Sequence, residues 1–567
     1  MKFSPVSRRA GLGLTLLPLS AAVLVACGGG GGDGGDGTAP PATPPSSASF
    51  EARCTALLGT KVGNGTVTSA AYTAASTGEI TATSYPSHCL VQGKLNERTG
   101  IDGKPYMIRY ELRMPESWGG RFFYNGGSGV DGTLPAALGA YPGGGNTRNA
   151  LLDGYAVVTT DSGHNAALET GADSQFLFAA DPQARDEYGD AQLPLVANAS
   201  KSLISTMFGT GPSKSYFVGC SNGGRQAMIA AQEHPELFDG IVAGSPGFRL
   251  VESALEGSIF RAQLAAGVAP IGADGLPDIT NPLTAAEKDV VKRRILDECD
   301  ALDGTPDGMV GRISACHPDP AQWVCAAGQT DNCLSAAKAD YVKKFFAGAK
   351  TSSGRQIYAS WPYDPGMVDT LGTPNAFFYT IFAGEASHVY TTPPTLTADL
   401  LGYARTADLD TEFQKTFAVT DVYKRSAYEF TNGSSPDMDA FRARNGKILY
   451  FNGTADWAFS FNDLAAYHDK VRTRYGDAEA GKFARAFAVP GMDHCSGGAD
   501  GTDQFDAFGA IVKWVEEGVA PDVMVSTARA AAGVSWPGRT RPLCAYPKEA
   551  VYNGSGDIEQ ASNFHCE

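Results

Sequence analysis

The sequence lacks an excess of positive charge, since 45 lysines and arginines stand against 61 aspartates and glutamates, a formal net charge of -16. Such an acidic chain is poorly suited to nucleic acid or anionic lipid, so we expect neither as a partner. It also lacks any Cys-x-x-Cys pair, which disfavours a thiolate metal site, and it has no repeat period. Its 567 residues are 43% hydrophobic, which is enough to bury a large core.

The N-terminal apolar run, residues 12–25, is too short to span a bilayer well and follows three basic residues. Residues 24–27 resemble a bacterial lipobox. We therefore predict a lipoprotein signal peptide over residues 1–27 and lipidation of Cys27, with an ordinary signal peptide as the alternative. Residues 28–48, rich in glycine and proline, then form a flexible tether. We expect an exported protein, either an outer-membrane lipoprotein facing the periplasm or cell surface, held by its anchor only, or a secreted one.

A nucleophile motif is present in Gly219-Cys220-Ser221-Asn222-Gly223. Gly-x-Ser-x-Gly between a strand and a helix raises a serine hydroxyl to the rim of an α/β sheet. Both flanks fit, because residues 214–218 are typical of a buried strand and residues 223–232 of a helix. The pattern predicts Ser221 as a catalytic nucleophile.

A serine nucleophile needs a general base, and that base needs an acid to hold its tautomer. Asp456 and His494 each follow a predicted strand, residues 447–451 and residues 485–489. The chain order serine, acid, histidine is that of α/β-hydrolases. We therefore predict a triad of Ser221, Asp456 and His494.

Two other carboxylates, Asp463 and Asp493, compete with Asp456 for the role of the acid. Asp493 is adjacent to His494 in the chain and is therefore badly placed to face the imidazole ring. Asp456 remains the preferred acid because it lies on the loop directly beyond a strand end.

Acyl transfer also requires donors for the developing oxyanion. The residue after the nucleophile, Asn222, should supply one backbone N–H group. The second should come from an early glycine-rich loop that follows a strand, and residues 125–129 after residues 121–124 fit that description. A simple tight turn is the alternative for this loop.

Ten cysteines remain once Cys27 is set aside, an even number that favours five disulfides in an exported chain. If Ser221 and His494 hydrogen-bond, their neighbours come within disulfide range, roughly 6 Å between Cα atoms. Local spacing suggests the other four pairs, although spacing alone leaves the connectivity open. The suggested pairs are Cys54–Cys89, Cys220–Cys495, Cys299–Cys316, Cys325–Cys333 and Cys544–Cys566.

Strand-like runs and helical runs alternate after the tether, which predicts an α/β sheet. The strand-like runs cover residues 106–114, 121–124, 155–160, 216–219 and 240–244, and a helical run covers residues 194–208. From residue 247 to 433 the chain becomes loop-rich and dense in proline and aromatics. We predict an α/β-hydrolase catalytic domain over residues 49–246 and 434–567 with a large inserted lid domain over residues 247–433. A separate downstream domain is the alternative.

Three carboxylates, Asp300, Asp303 and Asp307, share a glycine-bearing loop. Carboxylate oxygens are ligands that Ca²⁺ prefers, and three clustered anions without a cation repel one another. The loop predicts a structural Ca²⁺ site, with an ion-free acidic turn as the alternative. We expect no catalytic metal and no organic cofactor.

Five segments together resemble the tannase and feruloyl esterase family of serine hydrolases, over most of the chain after about residue 50. The segments are Arg98 to Gly103, the loop up to Ser128-Gly129, Gly219 to Arg225, Pro490 to Gly498 and Thr540 to Pro547. The resemblance implies an α/β-hydrolase core, an inserted lid that binds Ca²⁺, and a disulfide between the neighbours of the serine and the histidine.

The resemblance also implies roles for individual residues. The family's oxyanion donors map onto Gly129 and Asn222, and substrate contacts map onto Ser128 and Phe459, an aromatic that closes over the substrate ring. In the calcium loop, the family's pattern gives Asp300, Asp303 and Asp307 as side-chain ligands, with Thr305 and Met309 as carbonyl ligands.

We predict a monomeric serine carboxylic ester hydrolase that cleaves esters of small aromatic acids. The lid aromatics Phe377, Phe378, Phe382 and Tyr390 are candidates to hold the ring, or equally to form the lid core. Terephthalate monoester hydrolysis is the second hypothesis, and it would gain support if Arg405 or another lid cation pointed into the pocket. A non-catalytic surface-binding lipoprotein on a hydrolase scaffold is the third, and the presence of all three triad residues argues against it.

Overall fold

The computed structural model describes residues 48–371 and 376–567. Residues Ser49–Glu567 form one compact unit. Cys27, the predicted signal peptide and the predicted tether up to residue 47 lie outside the described residues. Within the described ranges, no helix combines the length and the apolar character that a membrane span requires.

Fourteen strands form in the described residues. They are β1 Lys61–Val62, β2 Gly65–Thr73, β3 His88–Thr99, β4 Pro105–Pro115, β5 Arg121–Asn125, β6 Tyr155–Thr160, β7 Lys214–Cys220, β8 Gly240–Gly244, β9 Lys447–Gly453, β10 Ala484–Val489, β11 Val523–Thr527, β12 Thr540–Cys544, β13 Ala550–Tyr552 and β14 Phe564–Cys566.

Ten of these strands form one mixed sheet in the order β1-β2-β3-β4-β6-β5-β7-β8-β9-β10. Strands β1 to β4 pair antiparallel, and β4 also pairs antiparallel with β6. From β6 across to β10 every pair is parallel. The carboxyl ends of β5, β7, β9 and β10 therefore lie along one edge of the sheet. This is the α/β-hydrolase fold predicted from the sequence.

Sixteen α-helices form in the same residues. They are α1 Phe50–Thr55, α2 Pro182–Asp186, α3 Gln192–Phe208, α4 Asn222–Glu233, α5 Leu250–Leu255, α6 Arg261–Ala266, α7 Ala285–Cys299, α8 Ala336–Ala347, α9 Ala376–Gly384, α10 Leu400–Thr406, α11 Leu409–Lys415, α12 Ala427–Thr431, α13 Asp439–Ala443, α14 Phe461–Tyr475, α15 Asp477–Ala480 and α16 Ala507–Glu517.

The segment between β8 and β9 contributes helices α5 to α13 and, in its described part, no strand of the main sheet. Loops join the helices of this segment, as expected from the sequence, and most of these helices are short. Two of them continue into π-helical turns, Glu256–Phe260 and Glu385–Val389. The lid boundaries at residues 247 and 433 stay a prediction.

Two hydrophobic clusters cover the two faces of the sheet. A third cluster gathers the apolar residues of helices α5 to α12 and also includes Ala455, Ala458 and Phe459 from the loop after β9. The segment between β8 and β9 therefore packs directly against the loop that carries Asp456.

Candidate active site

Ser221 lies in the tight turn between β7 and α4, with φ 64° and ψ -126°. Backbone at positive φ is unfavourable for a residue with a side chain, and it is the conformation expected of a nucleophile elbow. A Cβ on Gly219 would lie 2.4 Å from the carbonyl oxygen of Gly223, and one on Gly223 would lie 2.6 Å from that of Gly127. The turn packs so closely that both positions need glycine.

His494 connects Ser221 to Asp456. Its Nε2 lies 2.8 Å from the Ser221 Oγ, and its Nδ1 lies 3.0 Å from both carboxylate oxygens of Asp456. Asp456 is buried, and its Oδ1 accepts hydrogen bonds from the backbone N–H groups of Ala458 (2.9 Å) and Phe459 (3.1 Å). These bonds fix the carboxylate toward the imidazole, which gives the geometry of a nucleophile, a general base and an orienting acid.

Neither rival acid occupies this position. Asp463 is buried and pairs with Arg249, whose Nη1 lies 2.7 Å from the Asp463 Oδ1. Within the described part of the chain, the Asp493 side chain makes no hydrogen bond to His494. Burial, together with the neighbouring Asp456 carboxylate, raises the pKa of Asp493 to about 7.

A disulfide, Cys220–Cys495, joins the residue before Ser221 to the residue after His494, with 5.9 Å between the Cα atoms. It therefore ties the elbow to the histidine loop. The structure contains all five pairs that the sequence suggests; the other four are Cys54–Cys89, Cys299–Cys316, Cys325–Cys333 and Cys544–Cys566. Such a set of bonds indicates maturation in an oxidising compartment, as expected of an exported protein.

The glycine-rich loop after β5 is fastened to helix α4. The Gly127 N–H group donates to the Gln226 Oε1 at 3.0 Å. The buried Asp131 carboxylate accepts from the side-chain amides of Asn222 (2.6 Å) and Gln226 (3.1 Å). Gly129, at φ 53°, and Asn222 line the same cavity as Ser221. The two proposed oxyanion donors thus border the same cavity as the nucleophile.

A cavity of about 590 Å³ opens at Ser221 and His494. One wall is the loop after β5, which includes Ser128. A second part of the lining is mostly apolar and comes from the loop after β9, from helix α5, and from helix α9 with its π-helical continuation. Its residues are Leu250, Phe378, Ile381, Phe382, Glu385, Trp457, Ala458 and Phe459. The described lining includes no lysine or arginine.

The predicted lid contacts divide into two groups. Phe378 and Phe382 line the cavity. Tyr390 does not; it is buried, and its hydroxyl lies 2.9 Å from the Tyr188 hydroxyl, so it belongs to the lid core. Arg405 lies on α10 and is not part of the described cavity lining. The side chain of Phe377 lies outside the described residues.

Trp457 and Glu385 are among the cavity residues that the sequence did not predict. The Trp457 ring centroid lies 3.8 Å from that of Phe378 and 5.4 Å from that of His494. Its position directly after Asp456 was an available signal. Glu385 is buried at the lid side of the cavity, and no local sequence pattern marks it.

The acidic loop folds back on its own backbone. Asp300 Oδ1 accepts from the Asp307 N–H group at 2.9 Å. The N–H groups of Thr305 and Met309 donate to Asp303 and Asp307, each at 3.1 Å. The loop therefore wraps its three carboxylates closely, with Asp303 and Asp307 buried.

The oxygen donors of this loop are the feature that makes it suitable for a hard cation. Asp307 is already paired with Arg541, whereas Asp300 and Asp303 form no salt bridge with any described residue. Across residues 48–371 and 376–567, no group of three histidine, cysteine or acidic side chains has an arrangement that could hold a metal ion. Donor chemistry suits Ca²⁺, and the side-chain arrangement does not by itself form a complete site.

Comparison with known proteins agrees with this geometry. The family model for tannase and feruloyl esterase matches residues 89–567. The chain is 37% identical over 531 residues to mono(2-hydroxyethyl) terephthalate hydrolase from Piscinibacter sakaiensis, which covers 88% of this chain and 87% of that protein. It is 28% identical over 488 residues to feruloyl esterase C from Talaromyces stipitatus, covering 81% and 82% of the two chains.

The fold has a solved counterpart in feruloyl esterase B from Aspergillus oryzae. The two structures superpose with a TM-score of 0.73 at 24% identity, over 92% of this chain and all of the other. The family match extends from β3 to the C-terminus and includes Ser221, Asp456 and His494. This chain therefore belongs to the tannase and feruloyl esterase family and is a carboxylic ester hydrolase.

Proposed function

We propose that this chain hydrolyses esters of small aromatic acids, as feruloyl esterases and tannases do, through an acyl-enzyme on Ser221. The observation that carries the proposal is the hydrogen-bonded series Ser221, His494 and Asp456 at the mouth of a cavity walled by aromatic rings. Apolar walls with few polar groups suit an aromatic acyl group.

In the acylation step, the His494 Nε2 takes the proton of the Ser221 hydroxyl while Oγ attacks the ester carbonyl carbon. Asp456 holds Nδ1–H toward itself and stabilises the imidazolium. The backbone N–H groups of Gly129 and Asn222 then stabilise the tetrahedral oxyanion. His494 gives its proton to the alcohol oxygen, and the alcohol leaves.

In the deacylation step, His494 removes a proton from a water molecule that attacks the acyl carbon. The second tetrahedral intermediate uses the same two N–H donors. Its collapse returns the proton to the Ser221 Oγ and releases the free aromatic acid, so the enzyme is regenerated.

The lining supports an uncharged aromatic acyl group over one with a second carboxylate. A buried carboxylate needs a paired cation, and the described lining residues include no lysine or arginine. The second candidate, hydrolysis of mono(2-hydroxyethyl) terephthalate, is favoured by the 37% identity to the enzyme of that name.

The experiment that tests the proposal is a product-release assay on one mixture of methyl ferulate, methyl gallate and mono(2-hydroxyethyl) terephthalate. Chromatography would resolve the freed acids, with Ser221→Ala as the blank. We expect release of ferulate or gallate. Preferential release of terephthalate would favour the second candidate, and no acid at all would favour the non-catalytic binding protein. Undiminished turnover by Ser221→Ala would contradict the role of the serine.

We further propose a structural Ca²⁺ ion on the acidic loop, with Asp300, Asp303 and Asp307 as side-chain ligands and the carbonyls of Thr305 and Met309. The oxygen donor set supports it. The ion would stabilise the loop and would take no part in the hydrolytic steps.

We also propose that the chain is exported and anchored through a lipid on Cys27. The five disulfides support export. Cys27→Ser should move the protein from the membrane fraction to the soluble fraction; membrane retention of this variant would contradict the anchor.

A further inference from the structure

Glu385 has a buried carboxyl oxygen without a hydrogen-bond partner. The residue is only 3% exposed, and its Oε2 accepts and donates no hydrogen bond among the described residues. Buried polar groups are almost always paired, because an unpaired one loses its hydration without compensation. An exception inside an active-site cavity indicates a group whose partner is the ligand.

The placement of Glu385 directs it toward the substrate. Phe378, Ile381, Phe382 and Glu385 follow the spacing i, i+3, i+4 and i+7, which places them on one face of α9 and its π-helical continuation. All four line the cavity that contains Ser221. Glu385 has the one carboxyl group among the described lining residues, and the other three residues on this face are apolar.

The charged and titratable neighbours of Glu385 form their hydrogen bonds with other groups. The Arg225 guanidinium donates to the Asn222 side chain at 2.8 Å and to two backbone carbonyls. The hydroxyls of Tyr188 and Tyr390 hydrogen-bond to each other at 2.9 Å. Burial raises the pKa of Glu385 to about 8, against the opposing effect of Arg225. This shift favours the protonated form near neutral pH, in which the carboxyl has one O–H donor and one carbonyl acceptor.

We propose that Glu385 determines acyl specificity by hydrogen-bonding a hydroxyl on the aromatic ring, so that the enzyme selects esters of phenolic acids. The inference rests on the proposed ester hydrolysis at Ser221. A neutral carboxyl can accept from a phenolic O–H and donate to a phenolic or methoxy oxygen. A second ring carboxylate would meet this acidic group in a cavity whose described lining includes no lysine or arginine.

The size of the effect follows from the cost of an unsatisfied group. When a ring without a hydroxyl fills the cavity, Glu385 stays unpaired, and a site built to bond a hydroxyl discriminates strongly against an analogue that lacks it. The desolvation cost of one buried polar group corresponds to a preference of about tenfold or more in kcat/KM.

The test compares methyl 4-hydroxycinnamate with methyl cinnamate, which differ by one ring hydroxyl. The readout is the ratio of the two kcat/KM values, measured for the full exported chain and for Glu385→Leu and Glu385→Gln. Glu412→Gln serves as the matched control, because Glu412 is also a buried lid glutamate but bonds Tyr403 (2.8 Å) and lies outside the cavity lining.

We expect the wild type to prefer the hydroxylated ester by about tenfold or more and Glu385→Leu to bring the ratio near one. Glu385→Gln should keep part of the preference, since an amide also donates and accepts, and Glu412→Gln should keep all of it. An unchanged ratio in Glu385→Leu, or a wild type that hydrolyses both esters equally, would overturn the inference and leave ester hydrolysis intact. A wild type that hydrolyses neither ester would overturn both.

Discussion

Asp456 shows how one side chain is selected among three nearby acids. Asp463 is used by Arg249, and Asp493 is adjacent to the histidine but does not bond it. Asp456 alone combines contact with the His494 Nδ1 and two backbone N–H donors. The orientation of the carboxylate toward the His494 Nδ1, rather than its closeness to the histidine in the sequence, therefore decides which aspartate acts as the acid.

Asp456→Asn should lower kcat by about 10³- to 10⁴-fold with little change in fold, because an amide no longer holds the reactive tautomer of His494. Asp493→Asn is the matched control, since it removes a carboxyl next to the same histidine without touching Nδ1. Steady-state kinetics on one aromatic ester would measure both. A larger loss in Asp493→Asn than in Asp456→Asn would reverse the assignment.

At the scale of elements, the carboxyl ends of parallel strands bring the active site together. Strand β7 supplies the serine, β9 the acid and β10 the histidine, while β5 supplies the oxyanion loop. The disulfide Cys220–Cys495 fixes two of these ends to each other.

Removing this disulfide by Cys220→Ser with Cys495→Ser should lower the free energy of unfolding by about 2–5 kcal/mol. It should also lower kcat, because the elbow and the histidine loop lose their covalent link. Cys325→Ser with Cys333→Ser is the control, as it removes a pair only 8 residues apart that is not part of the cavity lining. Chemical denaturation and kinetics would measure both; equal kcat in the two double variants would contradict a positioning role.

The acidic loop after α7 offers a second test among the elements. If Ca²⁺ binds there, a chelator should lower the melting temperature, and adding Ca²⁺ back should restore it in proportion to the logarithm of its concentration. Asp303→Asn should weaken this response. A melting curve that is the same with and without chelator would contradict the ion site.

The sequence alone predicted those parts of the site that depend only on short stretches of neighbouring residues. A run of a few residues is enough to predict the strand, turn and helix around Ser221. The same holds for the loops that carry Asp456 and His494. Strands β2 and β3 were not predicted, because β2 is mostly exposed and lacks a clear apolar alternation. Glu385 and Trp457 could not be assigned either, since only the packing of α9 against the loop after β9 brings them to the cavity.

At the scale of the whole molecule, buried titratable groups predict how stability depends on pH. Burial raises the pKa of Glu385 to about 8 and that of Asp161 to about 7, the latter despite its pairing with Arg109. Burial lowers the pKa of His164 to about 3 and that of His468 to about 4. The folded state therefore binds extra protons on the acids and fewer on the histidines than the unfolded state does.

The signs of these two effects differ. The histidines make stability rise with pH up to about 6.5, where the unfolded chain also becomes neutral. The acids make stability fall as pH rises from their unfolded values toward about 7 and 8. Above about pH 6.5 only the effect of the acids remains, so the melting temperature should decline from there to about pH 8.

Glu385→Gln should reduce this decline, because it removes one acid that must ionise. Its free energy of unfolding relative to the wild type should rise with pH by up to about 1.4 kcal/mol per pH unit over that range. Parallel stability curves for the two proteins between pH 6.5 and pH 8, the range set by these pKa values, would contradict the burial of a neutral Glu385.

The distance along the chain between Ser221 and His494, 273 residues, also governs when activity can begin. Because the chain is synthesised from the N-terminus, the serine is made long before the histidine that must activate it. The nucleophile stays unactivated until nearly the whole polypeptide has been delivered, and the bond between Cys220 and Cys495 closes only in an oxidising compartment. Hydrolytic activity therefore cannot begin until synthesis has passed His494 and the two segments have folded together.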